Sequence, residues 1–224
     1  MDSNQVYQIV LYAASKNLQQ GYVSPSDFYT IINAGQIEYF NYLIGEFEKF
    51  QAGRPIAPVE VGDKESLRQT ISPLIYQITL TPNVVTGIAS YPSDFDSVDA
   101  MWEANGFYNI RFTPQQRLAS VWQSVIDPVV DNPIYTLREA GIQFYPENIG
   151  SAKMSYVRTP PSIVWGYTLD SNGIPVWNPA TSQNPVWSDG VMMEIIARAL
   201  RLIGVNLQSS VISQYANEVK QLGQ

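Results

Sequence analysis

The chain has 224 residues, 45% of them hydrophobic and only 15% charged, with a formal net charge of −7 and no histidine or cysteine. These numbers exclude a disordered tail and remove the imidazole base, the thiolate nucleophile and nearly all zinc and iron–sulfur sites. They also argue against a protein that wraps DNA, which needs a basic stripe to neutralise phosphates.

Taken in chain order, Val6, Ile9, Val10, Ala13, Ala14 and Leu18 recur at helical spacing and predict a first helix, punctuated by Gly21. Ser24-Pro25-Ser26-Asp27 is a strong helix start, with Ser24 as cap, Pro25 in the first turn and Asp27 at the capping-box position. The helix it opens is expected to run to about Phe50, with Phe28, Ile31, Ile32, Gly35, Phe40, Leu43, Ile44 and Phe47 on its core face. Tyr29, Tyr39 and Tyr42 widen that face, as in a helix packed on two sides or one that also meets a neighbouring subunit. Gln51 to Asp63, with two Gly and two Pro, reads as an extended connector.

A β-rich stretch follows. Leu74 to Leu80 alternates, and Val84 to Tyr91 and Phe95 to Trp102 are further strand candidates. Ala104-Asn105-Gly106 reads as a hairpin turn, and Thr113-Pro114 opens a short helix. Ile134–Glu139, Ile142–Tyr145 and Ala152–Arg158 are expected to form a meander. Ser162 to Trp187 holds Trp165, Trp177 and Trp187 without clear periodicity. It is a loop or β-arm, either folded over the core or presented to a partner. Ser188-Asp189 caps a helix carrying Met192, Ile195, Ile196, Ala199, Leu202 and Ile203, and Ser209 caps a final one carrying Tyr215.

The expected fold class is α+β, with terminal helices forming a helical bundle around an inserted antiparallel β-rich block. The expected divisions are an N-terminal helical pair over 1–53, the β-rich block with its arms over 54–187, and a C-terminal helical pair over 188–224. No run of about 18 apolar residues exists, so no membrane span is expected. The opening Met1-Asp2-Ser3-Asn4-Gln5 lacks the basic region of a secretory signal.

The usual phosphate loop, nucleophile elbow and dinucleotide fingerprint are absent from the sequence. Asp94, Asp96, Asp99 and Glu103 cluster, but without the Gly and closing Glu of a calcium loop. Their alternation suits the wet face of a strand. No catalytic residue, cofactor or metal is therefore expected. Asn and Gln together outnumber Lys and Arg, which suits polar faces that meet other proteins without burying charge.

The order of elements resembles the head-to-tail connector (adaptor) proteins of short-tailed bacterial viruses. The stretch Tyr91-Pro92-Ser93-Asp94-Phe95 is similar to a Leu-Pro-x-Asp-Tyr/Phe signature, with Tyr91 in place of the aliphatic residue. Pro133-Ile134-Tyr135 leading to Ile142-Gln143-Phe144-Tyr145-Pro146, and Tyr156-Val157-Arg158-Thr159-Pro160-Pro161, add to the likeness, as do the flanking helical pairs. The resemblance implies a non-enzymatic virion protein assembled in the bacterial cytoplasm. It implies closed rings of about twelve copies below the portal protein, receiving tail or tube proteins, with passing DNA as a weak channel contact only. Candidate subunit or partner contacts are Tyr39, Tyr42, Pro55, Pro58, Trp165, Trp177, Trp187 and Tyr215. Alternatives are another virion part (tail tube, collar or decoration protein) or a carbohydrate-binding module stacking sugars on its tryptophans, with Asp94 or Glu103 as acid.

Overall fold

Two reciprocal caps set the first helices. Asp2 and Gln5 exchange bonds, Gln5 N–H donating to Asp2 Oδ1 (2.7 Å) and Asp2 N–H to Gln5 Oε1 (2.9 Å), so helix α1 (Ser3–Asn17) begins three residues earlier than its apolar pattern suggests. Ser24 Oγ accepts from Asp27 N–H (3.1 Å) and its hydroxyl donates to the Asp27 carboxylate (2.6 Å), opening α2 (Pro25–Glu48) where expected. The computed structural model describes residues 1–17, 23–48, 66–106, 108–122 and 128–202. Pro55, Pro58 and Tyr215, the connector over 51–63 and the final helix lie outside the described residues.

The chain divides into two units, residues 1–70 with 160–224, and residues 71–159, and a short helix, α3, is described over 66–71. In the first unit, α2 buries Phe28, Ile32, Tyr39, Phe40 and Leu43, and α1 buries Val6, Tyr7, Val10 and Ala14. Helix α5 (Asp189–Leu202) packs on both, burying Met192, Ile195, Ile196, Ala199 and Leu200. Leu200 replaces Leu202 on the buried face, and Leu202 is exposed. α2 and α5 approach closely at Gly35. A Cβ there would stand 3.0 Å from both Ala199 N and Ile195 O, so only glycine admits this spacing.

Residues 160–187 belong to this helical unit, which corrects the expected boundary at 187. The reason is polar. Asn33 of α2 pairs with Ile163 as a strand would, its Nδ2 donating to Ile163 O (3.0 Å) and its Oδ1 accepting from Ile163 N–H (2.8 Å). Gln36 Nε2 donates to Pro161 O (3.0 Å). The segment then forms a two-stranded antiparallel ribbon, β8 (Tyr167–Leu169) with β9 (Pro175–Trp177), and a 3-10 turn over Pro179–Thr181 capped by Asn178.

The second unit contains two sheets around one core. Strand β7 (Ala152–Arg158) lies between β1 (Ile75–Leu80) and β3 (Phe95–Glu103), all antiparallel. The other sheet runs β2 (Ile88–Ala89), β6 (Gly141–Tyr145), β5 (Ile134–Arg138), β4 (Arg111–Phe112). Leu80, Met101, Met154 and Tyr156 of the first sheet and Ala89, Tyr135, Ile142 and Phe144 of the second share a single apolar cluster. On the reverse face of β5 and β6, Ile134 and Tyr145 pack with Leu118 of α4 (Gln115–Trp122). β6 is buried on both faces, and its one amide, Gln143, is satisfied by donating to Thr86 O (2.6 Å).

The fold is α+β, with two corrections to the expected block. β4 and β5 are parallel, joined through α4 as a crossover, so the block is mixed rather than antiparallel. The expected meander does not form, because β7 leaves its predecessor's sheet to pair with β1 and β3. The strand expected over Val84 to Tyr91 shrinks to β2. Asn83 Oδ1 accepts from Val85 N–H and Thr86 N–H, and Gly87 N–H donates to Asn83 O, closing a turn that ends at Gly87 (φ +63°).

Candidate assembly surfaces

Within the second unit, the stretches 91–95 and 156–159 meet in space. Phe95 at the start of β3 pairs with Arg158 at the end of β7. Asp94 accepts from the Tyr156 hydroxyl (3.0 Å) through its carboxylate and from Thr159 N–H (2.8 Å) through its carbonyl. Phe95 stacks on Tyr91 (4.8 Å between centroids) and leans on Tyr156. The Tyr91 hydroxyl donates to Arg138 O (2.9 Å), and Arg138 Nη2 donates to the Tyr145 hydroxyl (2.7 Å). Arg158 lies over the Tyr76 ring, 4.2 Å from its centroid. Burial pushes the Tyr156 hydroxyl above its ordinary pKa of 10.0, and the bond to Asp94 adds to the rise while Arg158 opposes it. Pro-x-Asp-aromatic and Tyr-x-Arg are thus two halves of one lock that fixes how β3 leaves its turn.

The acidic quartet does not converge. Asp94 and Asp99 each accept from a hydroxyl of β7, Tyr156 and Ser155 (3.0 Å in both), while Asp96 and Glu103 lie elsewhere along the edge strand β3. Asp96 and Asp99 are exposed, as on the wet face of a strand, while Asp94 and Glu103 are half-buried.

In the helical unit, Tyr39, Trp165 and Trp187 are buried, so the expectation that they meet a partner is corrected. Each is engaged inside the chain. The Trp187 indole N–H donates to Gln36 Oε1 (3.1 Å), and its ring meets Tyr39 edge-on at 5.7 Å. The Trp165 indole N–H donates to Asn4 Oδ1 (3.1 Å), and its ring lies 4.2 Å from that of Tyr7. Tyr7 in turn donates to Val23 O and meets Phe28 edge-on. Their burial also removes Trp165 and Trp187 as sugar-stacking faces. Amides that the composition assigned to protein–protein contact are engaged here instead: Asn4, Asn33, Gln36, Asn178 and Asn184 all bond within the unit.

What stays open is apolar. Tyr42 is half exposed beside the Arg198 guanidinium (5.0 Å), which also donates to Glu38 (3.2 Å) and Glu194 (2.9 Å). Arg201 pairs with the same Glu38. Trp177, half-buried, sits at the base of the β8–β9 ribbon, whose Tyr167, Leu169 and Val176 are exposed. In the second unit, Tyr76 and Ile78 of β1, with Phe112 and Trp122, are exposed. Of the expected contacts, Tyr42 and Trp177 keep accessible surface. Tyr76, Ile78, Tyr167, Leu169 and Val176, which are not among the expected contacts, are exposed as well. The signal for Tyr76 and Ile78 was the uncharged run Ile75–Leu80, which a covered strand and a bare edge strand share.

No protein-family model matches the chain, and no curated protein matches it. Among the described residues no helix is long and apolar enough to cross a membrane.

Proposed function

We infer that this chain is a ring-forming structural subunit, the head-to-tail connector of a tailed bacterial virus, docked below the portal around the DNA channel and acting without covalent chemistry. The observation that carries the reading is that each unit closes its own core and still leaves large apolar side chains uncovered, at Tyr42 and the ribbon in one and at β1 in the other. Exposed apolar side chains grouped on one face of a strand, as Tyr76 with Ile78 and Tyr167 with Leu169, suit protein–protein contact. Two different open faces on one chain suit a heterologous contact, in which one face of a subunit meets another face of the next and rotation closes a ring.

The lock formed by Asp94, Phe95, Tyr156 and Arg158 supports the resemblance, because the residues that carry it are those that hold the β block together. In this reading α1, α2 and α5 belong to a helical bundle. The net charge of −7 suits a channel wall that lets DNA slide past. The portal on one side and tail or tube proteins on the other are the partners, and the virion is the final location. The test is negative-stain imaging of the purified chain mixed with portal rings. The reading predicts a second ring stacked coaxially on the portal. Portal rings that stay bare at saturating chain concentration would overturn it.

A further inference from the structure

We propose that neighbouring copies are joined by strand addition, the β8–β9 ribbon of one copy lying along the open edge of β1 in the next. The proposal rests on the ring-forming reading above and deepens it by naming the joint.

The receiving edge is β1. It stands at the end of the order β1-β7-β3, with one side paired to β7 and the other unpaired among the described residues. Natural edge strands are normally guarded by charge, proline, a bulge or shortness. β1 reads Ile75-Tyr76-Gln77-Ile78-Thr79-Leu80, with no charge and no proline, and its register with β7 runs unbroken over six residues. The opposite edge, β3, is guarded: it carries Asp96, Asp99 and Glu103 and has two register shifts. The same sheet therefore has one protected and one unprotected edge. Tyr76 and Ile78 are 48% and 37% exposed, on the face they share with the buried Met154 and Tyr156, so the core of the unit runs out to this edge and is only partly covered there, with Arg158 over the Tyr76 ring.

The ribbon has the complementary properties. It is a two-stranded sheet with both outer edges unpaired among the described residues, a form that is marginal in water on its own. It is apolar on both faces, with Leu169 (64% exposed) on one and Val176 (49%) on the other. It is nonetheless built to stand as a unit. At its tip Asp170 Oδ1 accepts from Asn172 N–H and Ile174 N–H (2.8 Å each), and Gly173 takes φ +77°. At its base Gly166 is held between Asn178 N–H, which donates to its carbonyl (2.8 Å), and Ser182 Oγ, which accepts from its N–H (3.0 Å). A Cβ at Gly166 would fall 2.3 Å from Thr181 Oγ1. Asp170 is the ribbon's one charged residue, and its carboxylate already faces backbone donors. Docking the ribbon thus desolvates little charge, and its preformed turn lowers the ordering cost.

Both halves of the joint are present in every copy, in separate units. A second copy therefore supplies each half with its complement, and the contact is head-to-tail. The added strand extends the sheet by main-chain hydrogen bonds and covers Tyr76 and Ile78, the mode by which strand addition gives affinity.

The chain's lack of cysteine makes the test direct. Full-length Gln77→Cys is mixed under mild oxidant with full-length Thr168→Cys, and separately with Val176→Cys, and the products are sized without reductant. The proposal predicts a mixed disulfide dimer in at least one mixture, the productive one identifying whether β8 or β9 lies against β1. A chain carrying both productive cysteines gives a ladder of linked oligomers. Ile78→Lys, checked for an unchanged far-UV spectrum, weakens association at least tenfold. Gln77→Cys linking only to itself, or the double variant closing within one chain as a linked monomer, would overturn the joint. So would an absence of linkage in both mixtures while wild-type rings assemble, an outcome that leaves the connector reading standing. A wild-type chain that forms no ring, alone or on the portal, refutes the connector reading itself.

Discussion

Gln36 is the residue whose replacement tests the internal logic of the helical unit most sharply. Its side chain is buried in α2, donating to Pro161 O at 3.0 Å and accepting the Trp187 indole N–H at 3.1 Å. Gln36→Met keeps the volume and helix propensity nearly constant, so packing changes cost under about 1.5 kcal/mol. It removes both bonds. The buried Trp187 indole left without a bond costs about 1–3 kcal/mol, because Trp187 is too well covered for water to replace the amide, and the half-buried Pro161 carbonyl loses about 0.5–1.5 kcal/mol. The sum is about 1.5–4.5 kcal/mol, a large share of the 5–15 kcal/mol typical of a domain. In urea titration followed by tryptophan near-UV circular dichroism, a loss of about 3 kcal/mol at a slope of about 2 kcal/mol per molar lowers the midpoint by about 1.5 M with the slope unchanged. The 160–187 segment should also become protease-sensitive before the helices do, because Gln36 is one of its ties to α2. A midpoint within about 0.2 M of wild type would refute the argument that buried amides fasten this segment.

Gly35→Ala places a methyl against backbone atoms of α5 at 3.0 Å. Overpacking of about 1–3 kcal/mol exceeds the gain in helix propensity of about 1 kcal/mol, so urea titration should show net destabilisation. Gly141→Ala meets Ala89 O at 2.3 Å and holds φ +137°, so it should cost at least about 2 kcal/mol and separate β2 from β6, read as faster amide exchange at Ala89 and Ile142. Burial raises the pKa of Tyr39, Tyr91, Tyr135 and Tyr156 above the ordinary 10.0. The unfolded chain then releases protons first, so stability is fully present below about pH 10 and falls as pH climbs through the raised values. Melting temperature should be level from pH 8 to 9.5 and drop beyond 10, less steeply in Tyr135→Phe. A level profile to pH 11 would contradict the burial of these hydroxyls. Glu38→Gln weakens the surface pairs with Arg198 and Arg201 and should cost under about 1 kcal/mol, vanishing in high salt.

Much of the fold is legible from local chemistry. The Ser24 cap, the Asn105-Gly106 turn and the boundaries of β1, β3 and β7 follow from residues that act on their immediate neighbours. What escapes local reading is non-local. Periodicity identifies β7 as a strand but says nothing of its neighbours, so a meander and a sheet switch look alike. Trp165 and Trp187 resemble an exposed aromatic arm because the amides that receive their indole N–H groups, Asn4 and Gln36, lie 161 and 151 residues away. The start of α1 is the opposite case: the Asp2–Gln5 capping box is fully local, and apolar spacing alone overlooks it. The candidate contacts divide the same way. Tyrosine and tryptophan favour cores and interfaces equally, and only the structure separates Trp187 from Tyr42.

The account stands or falls on association between copies. The most direct measurement is the native mass of the full chain, alone and with purified portal, across a hundredfold range of concentration. The account predicts one discrete closed oligomer that persists on dilution in the portal complex. A single 25.1 kDa species at every concentration, with and without portal, would contradict it.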